Sequence, residues 1–125
     1  MISEDFDRSR VTPLRHLVTA TAAAAGLTGE RLDDFVLAVN ELLTNAVRHG
    51  GGTGHLLLIA EDGAMVCEVS DHGGGLDGAS TQRPAPDEAG GWGLWLVREL
   101  TDTCAIKTGP DGTAVRISRR IDEKF

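Results

Sequence analysis

The sequence predicts an α+β fold, a two-layer sandwich in which an antiparallel sheet is covered on one face by helices. Three observations carry that expectation. Apolar residues recur at three- and four-residue steps between Leu32 and Val47, the period of an amphipathic helix. Two pairs of apolar, strand-like segments flank Glu61-Asp62-Gly63-Ala64 and Gly109-Pro110-Asp111-Gly112, a hairpin pattern. The resulting order of helix, helix, hairpin, loop, helix, hairpin packs stably as helices laid on a sheet.

Taken in order, Thr12-Pro13 offers an N-cap followed by proline at the first helical position. Leu14, Leu17, Val18 and a run of alanines then lead to Gly26, a natural C-terminal stop. Thr28 caps a second helix that runs to Gly50, with Leu32, Phe35, Val36, Val39, Leu42, Leu43, Ala46 and Val47 as its apolar stripe. At about 100° per residue, Glu41 falls roughly 170° from the centre of that stripe and Asn45 about 130° away. Periodicity alone therefore leaves both in solvent. Strands are expected over 55–60 and 65–70. From Asp71 to Gly93 the composition turns to Gly, Pro, Ser, Thr and acidic residues, a long loop of the kind that is either functional or disordered. Leu94, Val97 and Leu100 mark a short helix, 103–108 and 113–118 a second hairpin, and residues 119–125, beginning with Arg119-Arg120, read as a solvated tail.

At 125 residues the chain is long enough for one domain with a proper core and too short for two, so residues 1–125 are expected to form a single unit. Twelve basic against 19 acidic residues give a net charge of −7, which opposes generic binding to nucleic acid or anionic membranes. No apolar run approaches the ~20 residues of a membrane span, and the start, Met1-Ile2-Ser3-Glu4-Asp5-Phe6-Asp7, is acidic where a signal peptide is basic and then apolar. A soluble, cytoplasmic protein is the expectation. Cys67 and Cys104 lie far apart in apolar stretches and read as buried free thiols rather than a disulfide.

The residues that carry chemistry begin with Glu41 and Asn45. Four positions apart on a helix, they share a face, so a carboxylate and a carboxamide can meet one ligand. Three glycine clusters surround them in sequence, Gly50-Gly51-Gly52, Asp71-His72-Gly73-Gly74-Gly75 and Gly90-Gly91-Trp92-Gly93-Leu94, each beside an element end. Glycine lets backbone approach a ligand closely, and the last cluster precedes a helix whose amides can receive phosphate. Asp71, just past a strand, can accept a hydrogen bond from an exocyclic amine such as that of adenine. Arg48 and His49 can touch phosphate, although a helix C-terminus attracts cations in any case. Trp92 and Trp95 read as packing or interface residues rather than nucleotide stackers. Gly73-x-Gly75-x-x-Gly78 matches the dinucleotide fingerprint in form, yet Ala79 to Pro86 cannot supply the helix that must follow, and no Gly-Lys-Ser/Thr is present for a P-loop.

Taken together, Glu41-x-x-x-Asn45, Asp71-x-Gly73-x-Gly75, Gly91-x-Gly93-Leu94 and Gly112-Thr113 resemble the N, G1 and G2 boxes and the terminal Gly-Thr strand of the GHKL superfamily. These Bergerat-fold ATPases include gyrase, the large heat-shock chaperone, histidine kinases and mismatch-repair proteins. The resemblance spans roughly residues 10 to 118, and the Ala38-Val39-Asn40-Glu41 lead-in makes it nearest to the anti-sigma factor serine kinases of bacteria. It implies a mixed, largely antiparallel sheet and a pocket for ATP or ADP with Mg²⁺ beneath a lid, here 76–90. It further implies that Asn45 supplies an oxygen to Mg²⁺ and that Glu41 is the general base. Asp71 would read the adenine amine, Gly73 and Gly75 would shape the wall, and Thr113 would support the adenine through water. Gly91, Trp92, Gly93 and Leu94 would stand at the phosphates.

The function implied is an ATP-binding anti-sigma regulatory factor, a protein-serine kinase that phosphorylates an anti-sigma factor antagonist and binds a sigma factor, acting as a homodimer. The lid ends in Asp87-Glu88-Ala89-Gly90, where such kinases often carry a basic residue, and this favours an alternative: a non-catalytic, nucleotide-dependent protein-binding module. A third reading is the isolated ATPase domain of a split two-component kinase.

Overall fold

The computed structural model of the chain describes residues 1–73 and 92–121, the side chain of Trp92 excepted. Its elements are β1 (Ile2–Asp7), a 3-10 turn (Arg8–Arg10), α1 (Val11–Ala24), α2 (Gly29–His49), β2 (Thr53–Glu61), β3 (Ala64–Asp71), α3 (Trp92–Leu100), β4 (Thr103–Gly109) and β5 (Gly112–Arg120). The five strands form one sheet in the order β1-β2-β3-β5-β4. All four pairings are antiparallel, so among the described residues the sheet has no parallel member and is not mixed. The two-layer α+β architecture is as the sequence predicts, and both hairpins and α2 fall within a few residues of their expected limits.

The core lies between the sheet and the helices. Leu56 and Leu58 of β2, Met65, Cys67 and Val69 of β3, and Val115 and Ile117 of β5 alternate inward, as the two-residue period of a strand requires. They meet Leu14, Val18 and Ala22 of α1 and Phe35, Val39, Leu42 and Leu43 of α2. The β2–β3 hairpin turns through Asp62 and Gly63, both at positive φ, the two-residue geometry whose twist suits paired strands.

Three features differ from the sequence reading. Residues 2–7 form an edge strand, its Ile2 and Phe6 buried in the core, because two apolar residues four apart face the same side of a strand. The charges between them mask that signal. Helix α1 begins at Val11 rather than after Thr12. Asp7 instead caps the preceding 3-10 turn, its Oδ1 accepting from the Ser9 amide at 2.9 Å and the Ser9 hydroxyl at 2.6 Å, and the turn runs directly into the helix. Pro13 is tolerated because the first-turn amides have no intrahelical partner to lose. Nor does a tail begin at residue 119: Arg119 reaches Asp34 of α2 at 3.1 Å and Asp102 at 3.2 Å. Next to it the Arg120 amide donates to Asp102 at 2.7 Å and the Ile121 amide to the Gly63 carbonyl at 2.9 Å. The lid assigned to 76–90 and the end of the chain, 122–125, lie outside the described residues. No helix among the described residues is long and apolar enough to cross a membrane.

Cys67 and Cys104 both stand opposite Ile117, on the two strands that flank β5. Two strand spacings put their backbones about 9–10 Å apart, beyond the reach of a disulfide, and both thiols are free. Burial pushes the Cys67 thiol up to about 12, and burial also raises the half-buried Cys104. Because the thiolate is the reactive form, a thiol reagent at mildly alkaline pH should modify Cys104 first and Cys67 only when the protein unfolds. Two equally fast thiols in the native protein, or a fast thiol surviving Cys104→Ser, would contradict this placement.

Candidate functional site

Helix α2 organises the site. Phe35, Val39, Leu42, Leu43 and Ala46 of its apolar stripe are buried, and the positions that periodicity assigns to solvent, Glu41 and Asn45, are half-buried. The short helix α3 packs against α2, and its Leu94 shares a cleft with Asn45. Among the described residues the side chains of Glu41 and Asn45 make no hydrogen bond or ion pair, which leaves a carboxylate and a carboxamide free for a ligand. One turn before Asn45, Glu41 lies outside the lining of the cleft.

The cleft opens between α2, α3 and the ends of β3 and β5. Leu42, Ala46, Val69, Leu94 and Val115 give it apolar walls. Its polar groups are Asn45, Asp71 and Thr113. Its volume is about 20 Å³, room for about one water. Thr113 is buried, and its hydroxyl lies 3.0 Å from that of Thr108.

At the base of the cleft Asp71 is fixed by backbone. Its Oδ1 accepts from the Gly73 amide at 3.0 Å and from the Thr113 amide at 3.3 Å, so this carboxylate ties the end of β3 to the start of β5. Glycines close around it. A Cβ on Gly50 would land on the Asp71 carboxylate, and one on Gly112, at φ +137°, on the Asp71 carbonyl. A Cβ on Gly73 would stand 2.7 Å from the Gly50 Cα and 3.0 Å from the His49 carbonyl oxygen. The C-terminus of α2, the end of β3 and the start of β5 thus meet at distances that exclude any side chain. Oδ2 of Asp71, beside Gly50, has no partner among the described residues and remains an acceptor.

Of the residues singled out from sequence, Asn45, Asp71, Leu94 and Thr113 line this one cleft, and Gly73 holds its polar corner. Arg48 and His49 are exposed. Arg48 lines a different groove, on the other flank of α2, and His49 contributes its backbone to the contact with Gly73. Gly75 and Gly91 lie outside the described residues, as does the side chain of Trp92 at the start of α3. Sequence reasoning missed Gly50 as a neighbour of Asp71, although the glycine run at 50–52 was a signal for it. It also missed the apolar walls, which carry no mark distinguishing them from core.

Residues 5–119 match the model of the histidine kinase-like ATPase domain. The chain belongs to this family. An anti-sigma F factor of Clostridium acetobutylicum is 30% identical over 117 residues, covering 85% of this chain and 78% of that protein. A serine-protein kinase RsbW of Listeria monocytogenes is 32% identical over 123 residues, covering 86% and 77%. In fold, the chain superposes on the RsbU and RsbW domains of a Mycobacterium tuberculosis protein with a TM-score of 0.66 at 22% identity; 96% of this chain spans 32% of that one. The histidine kinase domain of a blue-light activated kinase from Erythrobacter litoralis gives 0.55 at 22% identity, with 89% and 63% covered. At such identities these two likenesses show the fold alone.

The donor set suits the ligands this family name implies. A nucleobase with an exocyclic amine needs an acceptor and flat apolar walls, and Asp71 Oδ2 with Leu42, Ala46, Val69 and Val115 offers both. Mg²⁺ favours hard oxygen ligands, and the Asn45 carboxamide, unengaged among the described residues, would supply one. Because the Gly50 backbone fits against Asp71 so closely, Gly50→Ala should destabilise the fold by about 1–3 kcal/mol through overpacking. A double-mutant cycle in urea denaturation checks the cause: the cost should fall when Asp71 is also changed to Ala. An equal cost in both backgrounds would mean that Asp71 is not what Gly50 accommodates.

Proposed function

We propose that this histidine kinase-like ATPase domain is an ATP- and Mg²⁺-dependent protein-serine kinase of the anti-sigma regulatory class, one that phosphorylates an anti-sigma factor antagonist and binds a sigma factor. The observation that carries the reading is the convergence of Asn45, Asp71 and Thr113 on one apolar cleft, with the free Glu41 carboxylate one helical turn away. The 30–32% identity to an anti-sigma F factor and a serine-protein kinase supports the same class.

In this reading Asp71 Oδ2 accepts from the adenine amine while its Oδ1 stays with the Gly73 and Thr113 amides. Thr113 supports the base through water. Asn45 holds the metal through its carboxamide oxygen, and bound Mg²⁺ supplies charge neutralisation at the phosphate oxygens. Gly73, Gly75, Gly91, Trp92, Gly93 and Leu94 shape the wall and the phosphate end. Arg48 and His49, at the C-terminus of α2, stand nearest the outside. Glu41 takes the proton of the substrate serine as its oxygen forms the new bond to the γ-phosphorus and the bond to the leaving ADP oxygen breaks. A homodimer and a cytoplasmic setting complete the proposal.

A binding module without phosphoryl transfer is favoured by one observation, the Asp87-Glu88 pair where a cation would assist the γ-phosphate. Incubation with γ-labelled ATP, Mg²⁺ and candidate antagonist domains from the same genome separates the readings. The kinase should yield phosphoserine, and Glu41→Ala should lower transfer by about 10²–10⁴-fold while ADP binding in calorimetry persists; Asn45→Ala should weaken Mg²⁺-dependent binding as well. ADP binding with no labelled protein would establish the module instead, and acid-labile phosphohistidine a split two-component kinase. Undiminished transfer by Glu41→Ala would remove Glu41 as the base.

A further inference from the structure

On the other flank of α2 from the cleft runs a second concavity of about 350 Å³, lined by Arg8, Val11, Thr12, Thr44, Val47 and Arg48. It forms where the 3-10 turn and the first turn of α1 cross the C-terminal half of α2. The floor is apolar, from Val11 and Val47, both partly buried against the core. The rim carries two guanidinium groups and two threonine hydroxyls, and no carboxylate. Arg8 and Arg48 are both exposed, and among the described residues neither has an ion-pair or hydrogen-bond partner. Other surface arginines do: Arg10 reaches Glu4 at 3.1 Å and Arg116 reaches Glu68 at 3.4 Å. On a chain of net charge −7, a groove flanked by two unengaged cations is a local reversal of sign. The helix dipole accounts for a cation at the end of α2; it does not account for Arg8.

The position of the groove relates it to the cleft. Around α2, at about 100° per residue, Asn45 lies about 40° from Glu41 toward the cleft, whereas Arg48 lies about 20° and Thr44 about 60° from it toward the groove. Glu41 therefore stands on the ridge between the two concavities. A ligand in the cleft and a second body in the groove would approach this carboxylate from opposite sides.

The geometry points to the groove as the docking site for an acidic segment of a protein partner, its carboxylates on Arg8 and Arg48 and an apolar side chain on Val11 and Val47. Charge complementarity sets the sign of the occupant, and the apolar floor selects a peptide segment over a free anion, which would gain nothing from it. A nucleic-acid backbone would bring negative charge without an apolar side chain for that floor, so the floor rather than the charge favours a peptide segment. That the docked segment presents its serine to Glu41 rests on the kinase reading; that the groove holds an acidic segment does not.

The test uses the full chain and a fluorescein-labelled peptide of glutamate, leucine and serine, beside its counterpart with lysine at every glutamate. Fluorescence anisotropy at low salt should show binding of the acidic peptide and none of the basic one. Arg8→Glu should weaken that binding about tenfold or more, as loss of a complementary charge with gain of a repulsive one does, and Arg8→Glu with Arg48→Glu should reverse the preference toward the lysine peptide. Both residues are exposed, so folding survives the changes; circular dichroism checks this, and Arg8→Gln, smaller in effect, serves as a second variant. Failure of the wild type to bind the acidic peptide, binding indifferent to Arg8→Glu, or stronger binding of a DNA duplex or phosphatidylserine vesicles overturns the proposal. ADP binding, measured in parallel by calorimetry, tests the nucleotide reading, so loss of one without the other tells which of the two has failed.

Discussion

The carboxylate of Asp71 is the constraint on which the architecture around the cleft depends. Its Oδ1 accepts two backbone amides, those of Gly73 and Thr113, and a carboxylate so held by backbone donors is fixed far more firmly than one pointing into solvent. The price is steric: three backbone segments must come closer than any Cβ permits, and Gly50, Gly73 and Gly112 are the residues that allow it. In return Oδ2 has no partner among the described residues, on a side chain that lines an apolar cleft. A carboxylate oxygen beside apolar walls would suit a planar ligand that brings a hydrogen-bond donor.

From that corner the rest of the site follows through α2. The helix ends at Gly50 against Asp71, so the axial position of Asn45, one turn earlier, and of Glu41, two turns earlier, is set by the same contact. Rotation of α2 is set by Phe35, Val39, Leu42 and Leu43, all buried against the sheet and α1. Axial position and rotation together fix where the two polar side chains emerge. Arg119 adds a tie at the far end, joining Asp34 of α2 to Asp102 beside β4. A helix pinned at both ends and along its buried face is a rigid support for residues that must meet a ligand accurately.

How much of this was legible follows from which signals are local. The hairpins were readable because their turns and alternation lie within a few residues, and α2 because its stripe runs for about four turns. The strand at Ile2–Asp7 was not, since it has only Ile2 and Phe6 as apolar members and gains its meaning from pairing with β2, over forty residues away. Arg119 misled for the same reason: two arginines near a chain end look solvated until Asp34, 85 residues distant, is brought beside them. In the candidate site, Asn45, Asp71 and Thr113, which line one cleft, were singled out because their spacing resembles a family pattern; helical periodicity on its own placed Glu41 and Asn45 in water. The approach of Gly50 to Asp71 had its signal in the glycine run, while the direction of that approach exists only in three dimensions.

The size of the cleft carries a consequence for how the protein works. Room for about one water is too little for a nucleobase, so any such ligand must move a wall. Four of the five apolar walls cannot yield cheaply: Val69 and Val115 belong to paired central strands, and Leu42 and Ala46 to the pinned face of α2. Leu94 belongs to α3, a nine-residue helix whose described contacts are mainly with α2. Among the described walls α3 is therefore the one whose displacement against α2 would widen the cleft, and the free energy of that shift would be subtracted from the affinity of the ligand. By the same linkage, a partner that binds better to the shifted α3 must bind more tightly when the cleft is filled. Coupling between the contents of the cleft and a partner on α3 would thus require no separate switch, only that this wall of the cleft is also part of the surface of the molecule.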